Sequence, residues 1–419
     1  MTSDFEWYAG IDWASEKHRA CLLDGSGRGV GEREFPHGGS GLAELYGWLV
    51  EKASAAPQKI AVAIETPRGP VVEMLLERGF AVYSINPKQL DRFRDRFTVA
   101  GAKDDSRDAH VLAHSLMTDA NAFRRLTADD PVIIELREWS RLADDLKEER
   151  NRLANRVRQQ LWRYYPQMLE LGDDVAADWL LDLWEQAPTP AKAAELFEAA
   201  IARLLKAHRI RRLAGAEVLR ILRQKPLTVA PGTLEAATAH IRLLAARLRL
   251  VNQQVKEANR KLDRLCRMLE SEGSEPGNRP EQRDVAILRS LPGIGRINLA
   301  ALLSEGCEPL SRRDYHILRT LSGQAPVTRR SGKACIVTRR LACNRRLERA
   351  VYHWARVAAQ RDPVSRARYS ALRRRGHSHG RALRTIGDRL LALACTLLKR
   401  QVLFDPHYHN HTKESAAAA

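Results

Sequence analysis

The chain has 419 residues, with 69 Lys and Arg against 51 Asp and Glu, a formal net charge of +18 and 44% hydrophobic content. That hydrophobic fraction excludes a disordered chain, and the length suits two to three domains at about 100–200 residues each. So large a positive excess repels itself unless a polyanion neutralises it, and nucleic acid is the common polyanion.

The six cysteines, Cys21, Cys266, Cys307, Cys335, Cys343 and Cys395, form no Cys-x-x-Cys pair. Their scatter argues for reduced thiols rather than a disulfide framework. No apolar run reaches the roughly 18–20 residues that span a bilayer, and residues 1–8 carry no signal-peptide core. A cytoplasmic, nucleoid-associated protein is expected.

In chain order, Trp7–Trp13, Lys17–Asp24 and residues 29–35 read as three strands joined by short turns. Residues 40–54 carry Leu42, Leu45 and Leu49 at helical spacing. Residues 60–65 form a buried strand, 71–78 a helix, 80–85 a strand, 87–97 a helix opened by Pro87, and 106–117 another helix. The order β-β-β-α-β-α-β-α is the ribonuclease-H-like (RuvC-like) order, an α/β fold with a mixed sheet, and it sets a catalytic domain at 1–128.

From Pro131 the texture becomes rich in Leu, Arg, Glu and Ala. Leu136, Trp139, Leu142, Leu146, Leu153, Val157 and Leu161 recur at helical steps, as do Ile241, Leu244, Leu248, Val251 and Val255 farther on. Helices this long cannot bury an apolar stripe alone, so a long coiled-coil assembly region over 129–272 is expected, with an ordinary helical bundle as the alternative. Residues 271–281 read as a linker. A basic, mostly α C-terminal domain follows over 282–404, then a tail over 405–419.

Four acids stand out. Asp12 lies near the end of the first strand and Glu65 ends the fourth, so in this strand order both carboxylates reach the same sheet edge. Asp105 and Asp108 sit three apart at a helix start, facing one side, and Asp104 is an alternative to Asp105. Carboxylates brought together repel unless cations hold them. Mg²⁺ takes oxygen ligands and leaves positions for phosphate, with Mn²⁺ a substitute, and paired ions serve phosphoryl transfer. Singly, each acid reads equally as a turn or helix-start residue.

The stretches GIDWA, AIETP and AGAKDDSRDAHVLA resemble the DEDD transposases of the insertion-sequence-110 family and the related pilin-gene invertases. Lys103-Asp104-Asp105-Ser106-Arg107-Asp108-Ala109 resembles a Lys-Thr-Asp-x-x-Asp-Ala motif, with Asp104 where Thr is usual. In the C-terminal half, Leu291-Pro292-Gly293-Ile294-Gly295, Thr320–Pro326, Ser331-Gly332-Lys333 and Cys343-Asn344-Arg345-Arg346-Leu347 resemble the family's second domain. The resemblance implies a RuvC-like domain whose acids Asp12, Glu65, Asp105 and Asp108 bind metal. It also implies that Ser331, in a separate domain, attacks a DNA phosphate and forms a phosphoserine link. Donor and target DNA, a structured noncoding guide RNA and assembly into a dimer or tetramer are implied as well.

Read without the resemblance, Ser331 lies among Arg329, Arg330 and Lys333, cations that suit a phosphate. A loop hydroxyl that only hydrogen-bonds phosphate is the plainer reading, and Ser322 is a rival nucleophile. Arg329, Arg330, Lys333, Arg339, Arg340, Arg345 and Arg346 are expected on nucleic acid. Residues 291–295 fit either a helix-hairpin-helix turn aimed at phosphate or a tight helix connection. His377, His379, His407, His409 and His411 lack structural-zinc spacing. Two other functions stay open: a hydrolytic junction-type nuclease using only the acids, and a non-catalytic nucleic-acid-binding protein.

Overall fold

A computed structural model describes residues 5–96, 105–127, 130–230, 232–271, 280–332 and 334–406. The chain divides into two compact units, 1–130 and 131–419.

The first unit is built on a six-stranded sheet in the order β3-β2-β1-β4-β5-β6. Its strands are β1 (Trp7–Trp13), β2 (Lys17–Asp24), β3 (Gly29–Pro36), β4 (Ile60–Ile64), β5 (Ala81–Ser84) and β6 (Arg124–Arg125). The first three pair antiparallel, β1–β4–β5 pair parallel, and β6 closes the edge antiparallel. The four helices are α1 (Gly39–Ala53), α2 (Pro70–Glu77), α3 (Pro87–Arg94) and α4 (Asp105–Thr118). Strand alternation sorts the side chains onto two faces. Ala9, Ile11, Leu22, Val62 and Ile64 join Leu45 and Leu49 of α1 and Val72 and Leu75 of α2. Tyr8, Ala61 and Ala63 face the other way, against Val111, Leu112 and Leu116 of α4. The nine elements expected up to α4 are present with ends shifted by up to three residues; β6 had no sequence signal.

The second unit hangs on two long helices, α5 (Pro131–Tyr164) and α11 (Thr233–Ser271). Between them run α6 (Gln167–Glu170), α7 (Asp178–Gln186), α8 (Pro190–Glu195), α9 (Glu198–Ala207) and α10 (Gly215–Leu222). After them come α12 (Pro280–Ser290), α13 (Arg296–Glu305), α14 (Cys307–Ser311), α15 (Tyr315–Leu321), the hairpin β7 (Val327–Ser331) and β8 (Ala334–Thr338), α16 (Arg345–Arg361), α17 (Pro363–Arg374) and α18 (His379–Arg400). Glu135 pairs with Lys261 and Glu149 with Arg247, so α5 and α11 run antiparallel.

These two helices serve two cores. Leu136, Ala143 and Leu146 with Ala258, Leu262 and Leu265 belong to the core of α12–α18. Leu153, Val157 and Leu161 with Ile241, Leu244 and Leu248 belong to that of α6–α10. Between the cores lies a polar layer. Arg150 Nε donates to Asn252 Oδ1 at 2.7 Å, and Asn252 Nδ2 donates to the Ala176 carbonyl and to Asp178. Arg150 is one heptad past Ala143 and one before Val157, so it occupies the apolar seam itself. Leu142, expected on that seam, is 44% exposed, and Ala143 packs in its place. Among the described residues no helix is long and apolar enough to cross a membrane.

Candidate nucleic-acid-processing site

The acids are positioned by one close contact. A Cβ added to Gly10 of β1 would lie 1.9 Å from the Ala109 carbonyl oxygen and 2.6 Å from the Ala113 amide nitrogen. Only glycine lets α4 lie this close to the strand. At the other end of α4, Met117 lies beside Gly27 in the β2–β3 turn, next to Asp24, the partner of Trp7. Helix α4 therefore runs antiparallel to β1, and its N-terminus lies over the end of β1 that carries Asp12.

Asp12 alternates onto the same face as Tyr8 and Gly10. Glu65 follows Ile64, the last residue of β4, whose parallel partner Ile11 directly precedes Asp12. Both acids are half-buried, and Asp108, on the first turn of α4 beside Ala109, is 7% exposed. The structure thus places Asp12, Glu65 and Asp108 at the same end of the sheet. Asp105 opens α4; its side chain, with Lys103 and Asp104, lies outside the described residues. Among the described residues no group of three or more His, Cys, Asp or Glu is preassembled for a metal ion.

Sequence reasoning missed the partner of Asp108. Arg94, at the end of α3, donates Nε to Asp108 Oδ1 and Nη2 to Oδ2, both at 2.6 Å, and Nη1 to Asp91 Oδ1 at 2.5 Å. Nothing in the spacing of Arg94 and Asp108 signals this contact.

Ser331 is exposed and ends β7, opposite Ala334. Gly332 takes φ +53, which suits the first position of a two-residue hairpin turn; Lys333 lies outside the described residues. Both strands stand clear of the core, with Ile336 58% and Val337 61% exposed. An isolated two-stranded ribbon is marginal in water. Ser322 is fully buried, with Oγ 3.4 Å from the Arg319 carbonyl.

The arginines divide into two groups. Arg329 and Arg330 are exposed on β7 and have no ion-pair partner among the described residues. The others have partners within the protein. Arg345 donates to Glu348 at 2.8 Å and Arg339 donates to the same carboxylate. Arg346 reaches Asp144 at 3.2 Å and Asp145 at 2.9 Å on α5, and Arg340 Nε donates to the Ala325 carbonyl. At residues 291–295, an added Cβ on Gly293 would fall 2.7 Å from the Ala358 amide nitrogen of α16, while Trp354 donates to the Pro292 carbonyl. That side of the turn is a tight helix connection, closed to a phosphate. His379 accepts or donates with the hydroxyls of Tyr352 at 3.3 Å and Tyr369 at 2.8 Å; residues 407–419 lie outside the described residues.

A second unforeseen network supports the hairpin's root. Asp388 of α18 accepts from the Tyr315 hydroxyl at 2.8 Å and from Arg319 Nε and Nη2 at 2.9 and 2.8 Å. Burial, then the bond to Asp388, pushes the Tyr315 hydroxyl up to about 12. Its one sequence signal is an acid beside the apolar stripe Leu383, Ile386, Leu390. Asp388→Asn should lower stability by about 1–3 kcal/mol, less than a fully buried pair because both side chains keep some water. Urea denaturation of the variant checks this.

Comparison with known proteins then places the chain. Residues 9–166 match a transposase family model of the DEDD type, and residues 285–370 match a model described as the transposase IS116/IS110/IS902 family. The mini-circle putative transposase for IS117 of Streptomyces coelicolor is 33% identical over 409 residues, 95% of each chain. A putative transposase, y4uE, of Sinorhizobium fredii is 63% identical over 213 residues, spanning 51% of this chain and 59% of that relative. An insertion element IS110 43.6 kDa protein of Streptomyces coelicolor, described as uncharacterized, is 25% identical over 96% of each chain. The chain belongs to the IS110 family of transposases.

Proposed function

We propose that the protein cuts and rejoins DNA as the recombinase of a mobile element, with a divalent-cation site at the acids and Ser331 as nucleophile. The observation that carries this reading is the placement of Asp12, Glu65 and Asp108 at one end of a sheet ordered β3-β2-β1-β4-β5-β6, whose first five strands follow the order of a ribonuclease-H-like (RuvC-like) domain.

The donor set is all carboxylate, which fits Mg²⁺ or Mn²⁺. Asp12, Glu65 and Asp108, with Asp105, would hold the cation. When bound, it supplies Lewis-acid stabilisation of charge on the phosphoryl oxygens. Ser331 Oγ attacks the phosphorus and loses its proton. One P–O ester bond to deoxyribose breaks and that oxygen leaves as a hydroxyl, taking up a proton. The new Oγ–P ester conserves the bond until a recipient-strand hydroxyl displaces the serine. Arg329 and Arg330, beside Ser331 and without ion-pair partners among the described residues, hold the phosphate oxygens and stabilise the charge on them. A protruding two-stranded ribbon is also an element that B-DNA's major groove admits. Binding to a structured guide RNA and assembly of copies through α5 and α11 belong to the same reading. So does a division of the second unit into a long-helix region (129–272) and a serine-bearing domain (282–404).

The test is cleavage of cognate DNA in Mg²⁺ by the full-length protein with its element-derived RNA. Asp12→Asn should reduce cleavage by at least about 10²-fold, the scale of losing a group that stabilises charge in the transition state. Wild-type cleavage in Asp12→Asn would remove the acids from the chemistry.

A further inference from the structure

We propose that Arg94 is the resting occupant of the cation seat at Asp108, a guanidinium that must withdraw before a divalent cation binds there. This inference rests on the reading of the acids as a cation site.

Three observations support it. First, one guanidinium takes both oxygens of Asp108, each at 2.6 Å. A residue that merely orients a ligand carboxylate engages one oxygen and leaves the other for the metal. Second, Asp108 is only 7% exposed. Burying a charge is costly unless an opposite charge pairs with it. Arg94 therefore fills a role that a metal ion would otherwise fill, and two cations on one carboxylate repel. Third, Arg94 has somewhere to go. Its remaining nitrogen, Nη1, already lies 2.5 Å from Asp91, one turn back on α3, whose side chain is 63% exposed. Release from Asp108 leaves the arginine paired and better hydrated.

This arrangement pairs the buried Asp108 carboxylate without metal. It also makes metal loading a competition whose apparent affinity is lowered by the fraction of molecules in which Arg94 is seated.

The test is Mn²⁺ titration of the full-length protein without DNA, followed by the loss of free-ion EPR signal. Arg94→Gln is expected to bind Mn²⁺ about tenfold more tightly, because the competing state is gone. Its metal-free melting midpoint should fall and recover when Mn²⁺ saturates. Asp91→Asn leaves Asp108 paired but removes the waiting position. It should weaken Mn²⁺ binding in the wild-type background and have little effect in Arg94→Gln, a coupling that a double-mutant cycle reads. Weaker binding in Arg94→Gln would show an orienting role and overturn the proposal, as would unchanged binding. Asp12→Asn separates the two levels. If it abolishes Mn²⁺ binding while Arg94→Gln matches wild type, the cation site stands and the competition falls. If no version binds Mn²⁺, both fall.

Discussion

Ser331→Ala should abolish the denaturant-resistant protein–DNA adduct and lower strand cleavage by on the order of 10³-fold or more, as expected when an enzyme loses its nucleophile. Ser331 ends an exposed strand, next to two arginines without ion-pair partners among the described residues. Ser322, its rival by sequence, has no accessible surface and lies against the turn after α15. Ser322→Ala should therefore keep the adduct in whatever fraction folds. Denaturing gels with end-labelled cognate DNA check both variants. Cleavage that persists unchanged in Ser331→Ala, with no adduct in wild type, would instead establish water as the attacking group. That would make the chain a hydrolytic nuclease.

Gly10→Ala is the smallest substitution with a comparably large effect. The added methyl would meet the Ala109 carbonyl oxygen at 1.9 Å and the Ala113 nitrogen at 2.6 Å. Both are backbone atoms, so no side chain can rotate away and the whole helix must move. Overpacking of this kind costs about 1–3 kcal/mol. The functional cost is larger. Asp105 and Asp108 ride on α4, and a displacement of about 1 Å at reacting groups costs about 10²-fold in rate. Gly10→Ala is thus expected to keep its sheet by circular dichroism, melt earlier, and lose about two orders of magnitude in cleavage. Gly29→Ala is the control, because nothing lies within 4 Å of its added methyl. Equal activity in the two variants would show that α4 does not hold the acids in place.

The first unit was largely legible because its strands are short, β-rich and bounded by turn residues. Trp7–Trp13 and Lys17–Asp24 match residue for residue. The acids on β1 and β4 could be placed because strand order alone decides which strand ends meet. What could not be read was any contact between residues distant in sequence with no periodic pattern. Arg94 on Asp108 and the Tyr315–Arg319–Asp388 group are both of this kind. The hairpin was missed for a different reason. Its strands carry too few buried positions to alternate, and only Ser-Gly-Lys between β-branched flanks hinted at a turn. Without that hairpin, Ser331 read as a loop residue. Which arginines of the dense run pair within the protein could not be read, because charge counts do not reveal the acids that α5 supplies from far away in sequence, Asp144 and Asp145 for Arg346 and Glu148 for Arg349.

The Arg150–Asn252 layer gives the long helices a second meaning. Their backbones are continuous, but their buried apolar residues divide at that layer between two cores, with Val255 packed against both. A polar pair on a helix seam penalises sliding, since a shift of one heptad would set Asn252 against Ala143 or Val157. Substitutions among the buried residues of α6–α10 therefore act first on a core distinct from the one that surrounds α12–α18.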